Sequence, residues 1–431
     1  MQVRPAFLLP LAITGLAIPC SVNAAADGQS PVETDPPFYP DRQQAEQGLA
    51  EYDKAIETLE AQPSSDSNDE AITDLGYAKR QYIEVNGLPM FTFLGGPAYT
   101  PEQGILLAAG GLYSFKTERQ QQSLQRSNVS LFVVGNYVDN QIGYGLRAKH
   151  NLFWDHNNIQ FIGEWNAGVQ SKHYWGIGYD KGQQFTLGDE TKQTVLSNNY
   201  HGDLAFRIHG NWFAGPSLAL DYYSPQDDTD PASAIDDPNY AKFKDRPFIL
   251  GLGATLAYDS RDVAVNAWQG QYAKATYLVF NEAIGSQANF EQLQLEHRYY
   301  YSLSPGQILA SFAQFQQSYG DTPYYAMPTL GGPNSLRGYY MGQYRDNTVA
   351  ELTGEYRHTF RRQNGGLSNH GMTLWSGVGF VADKVSSLST NPLFSYGIGY
   401  RYQVQPRMNV RLDLGFSEHG AAFYFNFTEA F

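Results

Sequence analysis

Two pairs of acidic and basic residues are the best candidates for chemistry in this chain: Glu296 with Arg298, and Glu355 with Arg357. In each pair one residue lies between the acid and the base. In an extended strand residues i and i+2 point to the same face, so the members of each pair lie side by side. Such a pair serves either as a catalytic acid or base with its charged neighbour, or as a charge ladder on a wet surface. We favour charge ladders, because the chain carries no recognisable catalytic motif beside them.

The remaining candidates for catalysis lack the spacing that catalysis requires. The histidines, among them His150, His209, His297, His358 and His419, are scattered and match no metal-site or serine-hydrolase pattern. Residues 371–383 contain no Gly-x-Ser-x-Gly elbow. The net charge of −14 argues against a nucleic-acid partner. The sequence therefore predicts a protein that is not an enzyme, with no catalytic, cofactor-binding or metal-binding residues.

A glycine-rich segment near residue 331 carries a second kind of chemistry. Gly331, Gly332 and Gly338 permit backbone conformations closed to other residues, so the chain can fold sharply there. Arg337 offers a planar fork of N–H donors that suits carboxylates. The segment is therefore able to bring a guanidinium group onto an acidic wall.

Alternation with a period of two predicts the strands that would form this wall. Phe394, Tyr396 and Ile398 alternate with polar or small residues, and residues 248–259 and 408–417 show the same pattern. About ten such residues are what a tilted strand needs to cross a bilayer. Gln292, Gln294, Glu296 and Arg298 share one face, which a wet barrel lumen accepts and a sandwich core does not.

Counting such segments from about Gly104 to Phe431 predicts an all-β fold, a transmembrane antiparallel β-barrel of about 16 strands. The abundance of Tyr (31) and Phe (25) agrees with aromatic girdles. Connections at 138–141, 210–211, 304–306 and Pro406 are short, as periplasmic turns are. Those at 183–199, 225–246 and 319–347 are longer. We assign the barrel domain to residues 88–431.

The N-terminus predicts export. Arg4, an apolar stretch from Ala6 to Pro19 and small residues before Ala25 fit a signal peptide at 1–24. Cys20 would be removed with it, and Pro19 disfavours lipidation at that cysteine. The predicted localisation is the outer membrane of a Gram-negative cell, reached through the general secretory route.

Residues 25–87 are predicted to form a periplasmic extension with one helix and a linker. Asp41 and Gln44 resemble a capping box that opens a helix over 41–61. Ala45, Leu49, Tyr52 and Ile56 form an apolar stripe that requires a partner. That partner is either the barrel's own rim or lumen, or another molecule, through which the helix would bind an unknown client or periplasmic protein.

The segment Leu330–Gly331–Gly332–Pro333–Asn334–Ser335–Leu336–Arg337–Gly338–Tyr339 resembles the Arg-Gly-aromatic loop of the BamA/TamA superfamily, the bacterial surface antigens. Asp259, Arg261, Asp262 and Gly270 are similar to its Asp-x-Arg-Asp turn, although Ala267 stands where proline is usual. No repeated βααββ pattern precedes the barrel. The chain therefore looks like a short-N-terminus branch without POTRA domains, and delivery of substrates by such domains is not carried over.

This resemblance implies roles for particular residues. The loop motif Leu336, Arg337, Gly338 and Tyr339 is expected to enter the lumen, where Arg337 binds an inner-wall acid, with Glu351, Glu355 and Asp413 as candidates. Asp259, Arg261, Asp262 and Gly270 are expected to form a periplasmic turn. Phe423, Phe425, Phe427 and Phe431 are expected to form a C-terminal signal for the barrel-assembly machinery.

The resemblance also implies the function: assistance in inserting or translocating a client into or across the outer membrane. The alternative is a passive pore or a structural surface antigen with a loop-plugged lumen. A weakly paired seam between the first and last strands favours the former, and continuous pairing favours the latter. Expected partners are outer-membrane lipid and lipopolysaccharide, the barrel-assembly machinery and the client.

Overall fold

A computed structural model describes residues 36–431, except for residue 64 and the segments 101–103, 120–124, 139–140, 185–189 and 227–229. The predicted signal peptide lies outside the described residues. Within them, sixteen strands form one antiparallel sheet in which each strand pairs with the next along the chain. The predicted barrel fold and strand number are confirmed.

The sixteen strands are numbered in chain order. They are β1 Met90–Thr100, β2 Gly104–Phe115, β3 Ser127–Val138, β4 Gln141–Trp154, β5 Ile159–His173, β6 Lys192–His209, β7 Trp212–Pro225, β8 Phe248–Asp259, β9 Gly270–Phe280, β10 Phe290–Ser304, β11 Gln307–Gly320, β12 Thr348–Arg361, β13 Leu367–Ala382, β14 Leu393–Gln405, β15 Met408–Ser417 and β16 Gly420–Phe427. Strand β1 lies before Gly104, where the count from the sequence begins.

The two faces of the sheet differ as the alternation predicts. Phe394 and Tyr396 on β14 are 64% and 60% exposed on the outer face, whereas Ser395 and Arg401 on the same strand are buried inside. On β10, Arg298 Nε lies 2.5 Å from Glu296 Oε1 on the inner wall, as expected for a charge ladder. Apolar side chains therefore face outward and polar ones inward, the arrangement of a membrane barrel.

Because the strand number is even, the chain enters and leaves the sheet at one rim, here called the terminal rim; the opposite one is the loop rim. The connections at 210–211, 304–306 and Pro406 lie at the terminal rim. The connection at 138–141, which was grouped with them, joins β3 to β4 at the loop rim. A short connection therefore does not by itself identify the terminal rim.

The N-terminal extension contains two long helices, α1 Arg42–Glu60 and α2 Asp66–Val85, so the prediction of one helix and a linker is wrong. Asp41 caps α1, its carboxylate accepting from Gln43 N and Gln44 N. The Ser/Asp-rich segment read as a linker begins α2, because Ser65 caps that helix and hydroxyl and acidic residues favour a helix N-terminus.

The apolar stripe of α1 finds its partner in α2. Ala45 and Tyr52 pack with Tyr82 and Ile83, and the Tyr82 hydroxyl donates to Ala45 O at 3.0 Å. The two helices thus form an antiparallel hairpin that lies at the terminal rim. None of the described helices is long and apolar enough to cross a membrane.

Short helices lie in the loop-rim connections. They are the α-helices Tyr179–Gln183 and Pro238–Phe243 and the 3-10 helices Ala232–Ala234, Glu282–Ile284, Tyr324–Ala326 and Val385–Ser387. The connection from β11 to β12, called here the long loop (321–347), contains two short paired segments, Thr329–Leu330 and Tyr344–Arg345.

Candidate functional site

The long loop lies against the inner wall of the barrel. Leu330, Leu336 and Tyr339 are buried together with Val349 of β12 and Leu393 of β14. At Gly338 φ is +120°, and a Cβ there would lie 2.8 Å from the backbone of Phe416 on β15. Only glycine allows both that backbone conformation and so close an approach. The loop therefore packs backbone against backbone on β15.

Arg337 is enclosed where the loop meets the wall. Its Nη1 lies 2.8 Å from Asp413 Oδ2 of β15, and its Nη2 forms an ion pair with Glu355 of β12. The guanidinium group also lies 3.8 Å from the centroid of the Trp375 ring on β13. Its side chain is 2% exposed and both carboxylates are 0% exposed. Side chains from three strands of the wall, β12, β13 and β15, thus converge on one arginine.

Further arginines surround the same acids. Asp413 accepts from Arg401 Nη1 at 2.6 Å and from Arg411 Nη1 at 2.7 Å. Glu355 accepts from Arg357 Nε at 2.8 Å. We call Arg337, Arg357, Arg401, Arg411, Glu355 and Asp413 the ionic cluster. Desolvated charges are tolerated only when they are paired and hydrogen-bonded. Each arginine of the cluster is paired with an acid, and Arg401 binds Glu429 as well at 2.8 Å. Among the described residues, Arg357 Nη1, Arg401 Nη2 and Arg411 Nε still have no hydrogen-bond partner.

Glu351 holds the loop by a different contact. Its carboxylate accepts from Leu336 N at 2.8 Å and from Ser335 Oγ at 2.6 Å, so it binds the residues before Arg337 and not the guanidinium group. Of the three acids proposed as partners of Arg337, the structure brings Glu355 and Asp413 to that side chain and places Glu351 beside it.

The loop is also attached to the last two strands. Gly338 N donates to the Tyr424 hydroxyl at 3.1 Å, and that hydroxyl donates to Tyr339 O at 2.9 Å. Ser417 Oγ donates to Gly338 O at 2.9 Å. Tyr424 lies on β16 and Ser417 ends β15, so the loop fixes the strands next to the seam.

The Asp-x-Arg-Asp segment forms a folded turn at the terminal rim. Arg261 binds Asp259 through two N–H groups, at 2.9 and 2.8 Å. Asp262 accepts from Val263 N and Trp268 N, both at 3.0 Å, and pairs with Arg407 at 3.0 Å. Gly270 begins β9 with φ of +99°, and a Cβ there would lie 2.2 Å from Ser260 O. The turn is thus held by its own acids and tied to the β14–β15 turn.

Phe423, Phe425 and Phe427 share one face of β16, opposite Leu414, Leu412 and Val410 of β15, whereas Phe431 lies beyond the strand. Phe423 is exposed on the outer face, whereas the Phe427 ring stacks on Phe132 of β3 with centroids 4.3 Å apart. Beyond β16 the chain turns inward, and Phe431 is buried against Phe312 of β11 at 5.1 Å. In the finished barrel the terminal aromatic ring is therefore enclosed.

The two ends of the sheet meet through side chains that join β14 to β1 and β2, and β16 to β3. Gln405, at the end of β14, donates to Thr92 Oγ1 on β1 at 2.7 Å and to Leu112 O on β2 at 3.2 Å, and accepts from Ser114 Oγ at 2.7 Å. Phe427 reaches the inner residue Phe132. Among the described residues, backbone pairing runs from β1 to β16 without a rung that joins these two strands. The terminal end of the last strands therefore overlaps the inner face of the first strands.

A family model described as the Omp85 superfamily domain matches residues 113–431. The chain belongs to the Omp85 superfamily. The resemblance drawn from the Arg-Gly-Tyr loop is thereby confirmed, and the sheet described above is an Omp85 outer-membrane β-barrel. The match covers β3 to β16 entirely, the long loop included.

Solved structures with a similar fold include BamA from Haemophilus ducreyi lacking POTRA domains 1-3, at 12% identity and a TM-score of 0.48, with 88% of this chain and 81% of that chain covered. CdiB from Escherichia coli is 9% identical with a TM-score of 0.47, and 81% of this chain and 68% of that chain are covered. No curated protein sequence matches this Omp85 chain.

Sequence reasoning missed several residues of this Omp85 site. Arg401 and Arg411 lie on the polar faces of strands that were recognised, so their inward direction was predictable but their contact with Asp413 was not. Trp375 and Gln405 gave no signal, because a strand pattern does not show which inner side chains meet across the lumen.

Proposed function

We propose that this protein opens laterally between β1 and β16 to insert a client into the outer membrane or to translocate it across that membrane. The overlap of Phe427 with the inner residue Phe132 carries the proposal, because it describes a seam held by side chains. Export through the general secretory route, assembly by the barrel-assembly machinery, and contact with lipid and lipopolysaccharide belong to the same proposal.

A backbone ladder and a set of side-chain contacts differ in the energy that is needed to separate them. An amide–carbonyl hydrogen bond in an apolar medium contributes about 4–6 kcal/mol, so separating a continuous ladder within the bilayer is prohibitive. Side-chain contacts such as that of Gln405 with Thr92 lie at the terminal end of the seam and separate at a smaller cost. A client strand that pairs with an exposed edge would satisfy the backbone groups that opening uncovers.

The ionic cluster supports this role because it holds the strands on the β16 side of the seam in place. Arg337 joins β12 to β15 through Glu355 and Asp413, and Tyr424 joins β16 to the same loop. Strands beside the seam thus keep their inner contacts while the edge of β1 separates from them. The long loop acts in this proposal as a rigid inner support.

A cluster of tyrosines at the loop rim favours this role over that of a passive pore. Tyr174, Tyr240 and Tyr324 come from three different connections and pack together, with ring centroids between 4.7 and 5.3 Å apart. The Tyr174 hydroxyl donates to Asp237 at 2.5 Å. This apolar cover over part of the outer mouth restricts a straight aqueous path through the lumen.

Reversible cross-linking of the seam tests the proposal. Cysteines at Thr92 and Gln405, joined by a short reducible thiosulfonate linker, should stop the protein from accelerating the insertion of an unfolded eight-stranded barrel protein into liposomes. Reduction should restore the rate. A matched pair at Leu309 and Tyr356, which are cross-strand partners in β11 and β12, should leave the rate unchanged when linked.

Two outcomes would contradict lateral opening. One is full insertion activity with the seam linked. The other is the absence of any acceleration by the parent protein together with a steady ion conductance, which would favour the passive pore or structural surface antigen.

A further inference from the structure

Helix α2 contacts the barrel at two places that lie on opposite sides of the seam. Its C-terminal end lies against the connection between β2 and β3, and its middle lies against the connection between β12 and β13. The shorter path between these connections around the barrel passes β13 to β16, the seam, and then β1 and β2. The helix therefore spans the terminal end of the seam.

The first anchor, on the β2–β3 side, is buried. Glu84 pairs with Arg126 at 3.2 Å and with Lys116 at 3.7 Å, and both basic side chains are nearly inaccessible. Arg119 donates to Asn86 O at 3.1 Å and to Tyr39 O at 2.9 Å, which holds the start of α1 as well. Val85 is also followed within five residues by β1, so this end moves with the first strands.

The second anchor, on the β12–β13 side, is less buried than the first, because its residues are half-buried and Asp74 is exposed. The Arg362 guanidinium group lies 3.9 Å from the centroid of the Tyr77 ring and 2.5 Å from Asp74 Oδ1. Asn369 N donates to the Tyr77 hydroxyl at 2.8 Å, and Arg80 donates to Asn369 Oδ1 at 2.6 Å. The Asp74 side chain is 54% exposed, so water competes for its contact with Arg362.

The helix has the length that this span requires. Ten residues separate Asp74 from Glu84, which corresponds to about 15 Å of helix axis at 1.5 Å per residue. The arginine side chains at both anchors add their own reach. Separation of β1 from β16 at the terminal rim would stretch this span, so one anchor must release before the seam can open.

We propose that α2 is a releasable latch across the seam, and that the anchor at Arg362 is the one that releases. This inference rests on the lateral opening proposed above and adds its regulation. The buried anchor keeps α2 with β1, whereas the exposed anchor separates at a smaller cost.

The α1–α2 hairpin moves as one body in this mechanism. The rings of Tyr52 and Tyr82 lie 5.2 Å apart, and Lys79 of α2 pairs with Asp53 of α1. These contacts join the helices independently of the barrel. Release at Arg362 therefore frees the far end of the hairpin while its own packing persists.

A distance measurement across the seam tests the latch without any client. Spin labels replace the outward residues Phe93 on β1 and Phe423 on β16 in the exported protein in liposomes, from which Cys20 is removed with the predicted signal peptide. Arg362→Glu should add a longer distance, with about a tenfold rise in the open population from the loss of an ion pair and a cation–π contact. The double variant Arg362→Glu, Asp74→Arg should move the distribution part of the way back to that of the parent, because it returns the ion pair but not the cation–π contact with Tyr77. Lys54→Glu, an equal charge reversal on the exposed face of α1, should leave it unchanged.

Heat-modifiable migration verifies that each variant is folded, and Tyr77→Leu provides a second way to weaken the same anchor. A parent-like distance distribution in both folded Arg362→Glu and folded Tyr77→Leu would overturn the latch. So would a charge swap that leaves the distance distribution identical to that of Arg362→Glu alone. If the seam opens in Arg362→Glu while client insertion is absent in every variant, the latch stands and the proposed function is the part that fails.

Discussion

Arg337 and Asp413 are 76 residues apart in the chain, yet Nη1 of the arginine lies 2.8 Å from Oδ2 of the aspartate. The contact joins the long loop to β15, and Arg401 and Arg411 bind the same carboxylate from neighbouring positions on the wall. Because all these side chains are buried, the strength of the contact depends on mutual pairing and not on screening by water.

Replacement of Arg337 by alanine should release the long loop. Truncating one partner of a buried ion pair costs about 3–5 kcal/mol, and we expect the lower end because Asp413 retains two arginines. A loss of about 3 kcal/mol corresponds to on the order of a hundredfold more open loop. Limited proteolysis of the embedded protein should therefore show faster cutting within residues 321–347, together with altered single-channel conductance.

Arg337→Lys is the matched control for charge. Lysine retains the positive charge but lacks the planar fork that reaches both Glu355 and Asp413, and it loses the stacking on Trp375. Its proteolysis rate should lie between those of the parent and Arg337→Ala. Equal rates and equal conductance in all three proteins would show that the arginine does not hold the loop.

The lipid-facing assignment predicts a contrast between two arginine substitutions. Leu374 lies in the middle of β13 on the outer face, so Leu374→Arg should destabilise the barrel by about 2–4 kcal/mol. Gln294→Arg places the same side chain in a polar lumen cavity of about 260 Å³ lined by residues such as Lys149, Glu164 and Asp203, and should cost less than about 1 kcal/mol. Urea unfolding in liposomes measures both, and equal losses would contradict the strand register.

The sequence predicted which face of each strand lies inside the barrel, but not which inner side chains meet. Alternation over β10, β14 and β15 identified both faces because a strand has a fixed period of two. It placed Asp413 and Glu355 inside the barrel, but their meeting at Arg337 depends on the path of a loop that obeys no period. Helix α2 was missed because its polar first turn resembles a linker, and its apolar residues become meaningful only when α1 is packed against them.

The inward turn of the C-terminus was also not predictable from the sequence. Phe431 continues an aromatic pattern that predicts a lipid-facing strand, yet Glu429 pairs with Arg401 at 2.8 Å inside the barrel. The residues after β16 thus turn into the lumen, where Glu429 binds a buried arginine, and they do not continue the in–out alternation of β16. Such a preference arises from contacts between distant strands, and single-sequence periodicity does not contain it.

The turn between β15 and β16 predicts a pH response. Burial lowers the pKa of His419, although neighbouring Glu418 opposes that shift. The folded protein therefore favours the neutral imidazole, whose Nε2 lies 2.9 Å from the Tyr344 hydroxyl. Its contribution to stability is complete above the unfolded pKa of about 6.5 and is lost as the pH falls below that value.

Limited proteolysis of the long loop should accelerate when the pH falls from about 7.5 to about 5, and His419→Gln should remove most of that acceleration. Glutamine provides a neutral acceptor for Tyr344 at both pH values. The prediction is wrong if the glutamine variant responds to pH as strongly as the parent, since the response would then belong to other groups.

Phe431 allows structural packing to be separated from recognition during assembly. The Phe431 ring is buried against the Phe312 ring, so Phe431→Ala and Phe312→Ala remove the same contact from opposite sides, each at a cost of about 3 kcal/mol. If the assembly machinery reads the terminal aromatic residue before it is enclosed, Phe431→Ala should slow the appearance of folded barrel in a pulse-chase experiment far more than Phe312→Ala. Both variants should show similar urea midpoints once folded. Equal folding delays in the two variants would mean that Phe431 acts only through packing in the lumen, and the proposed C-terminal signal would then have to be carried by other residues of β16.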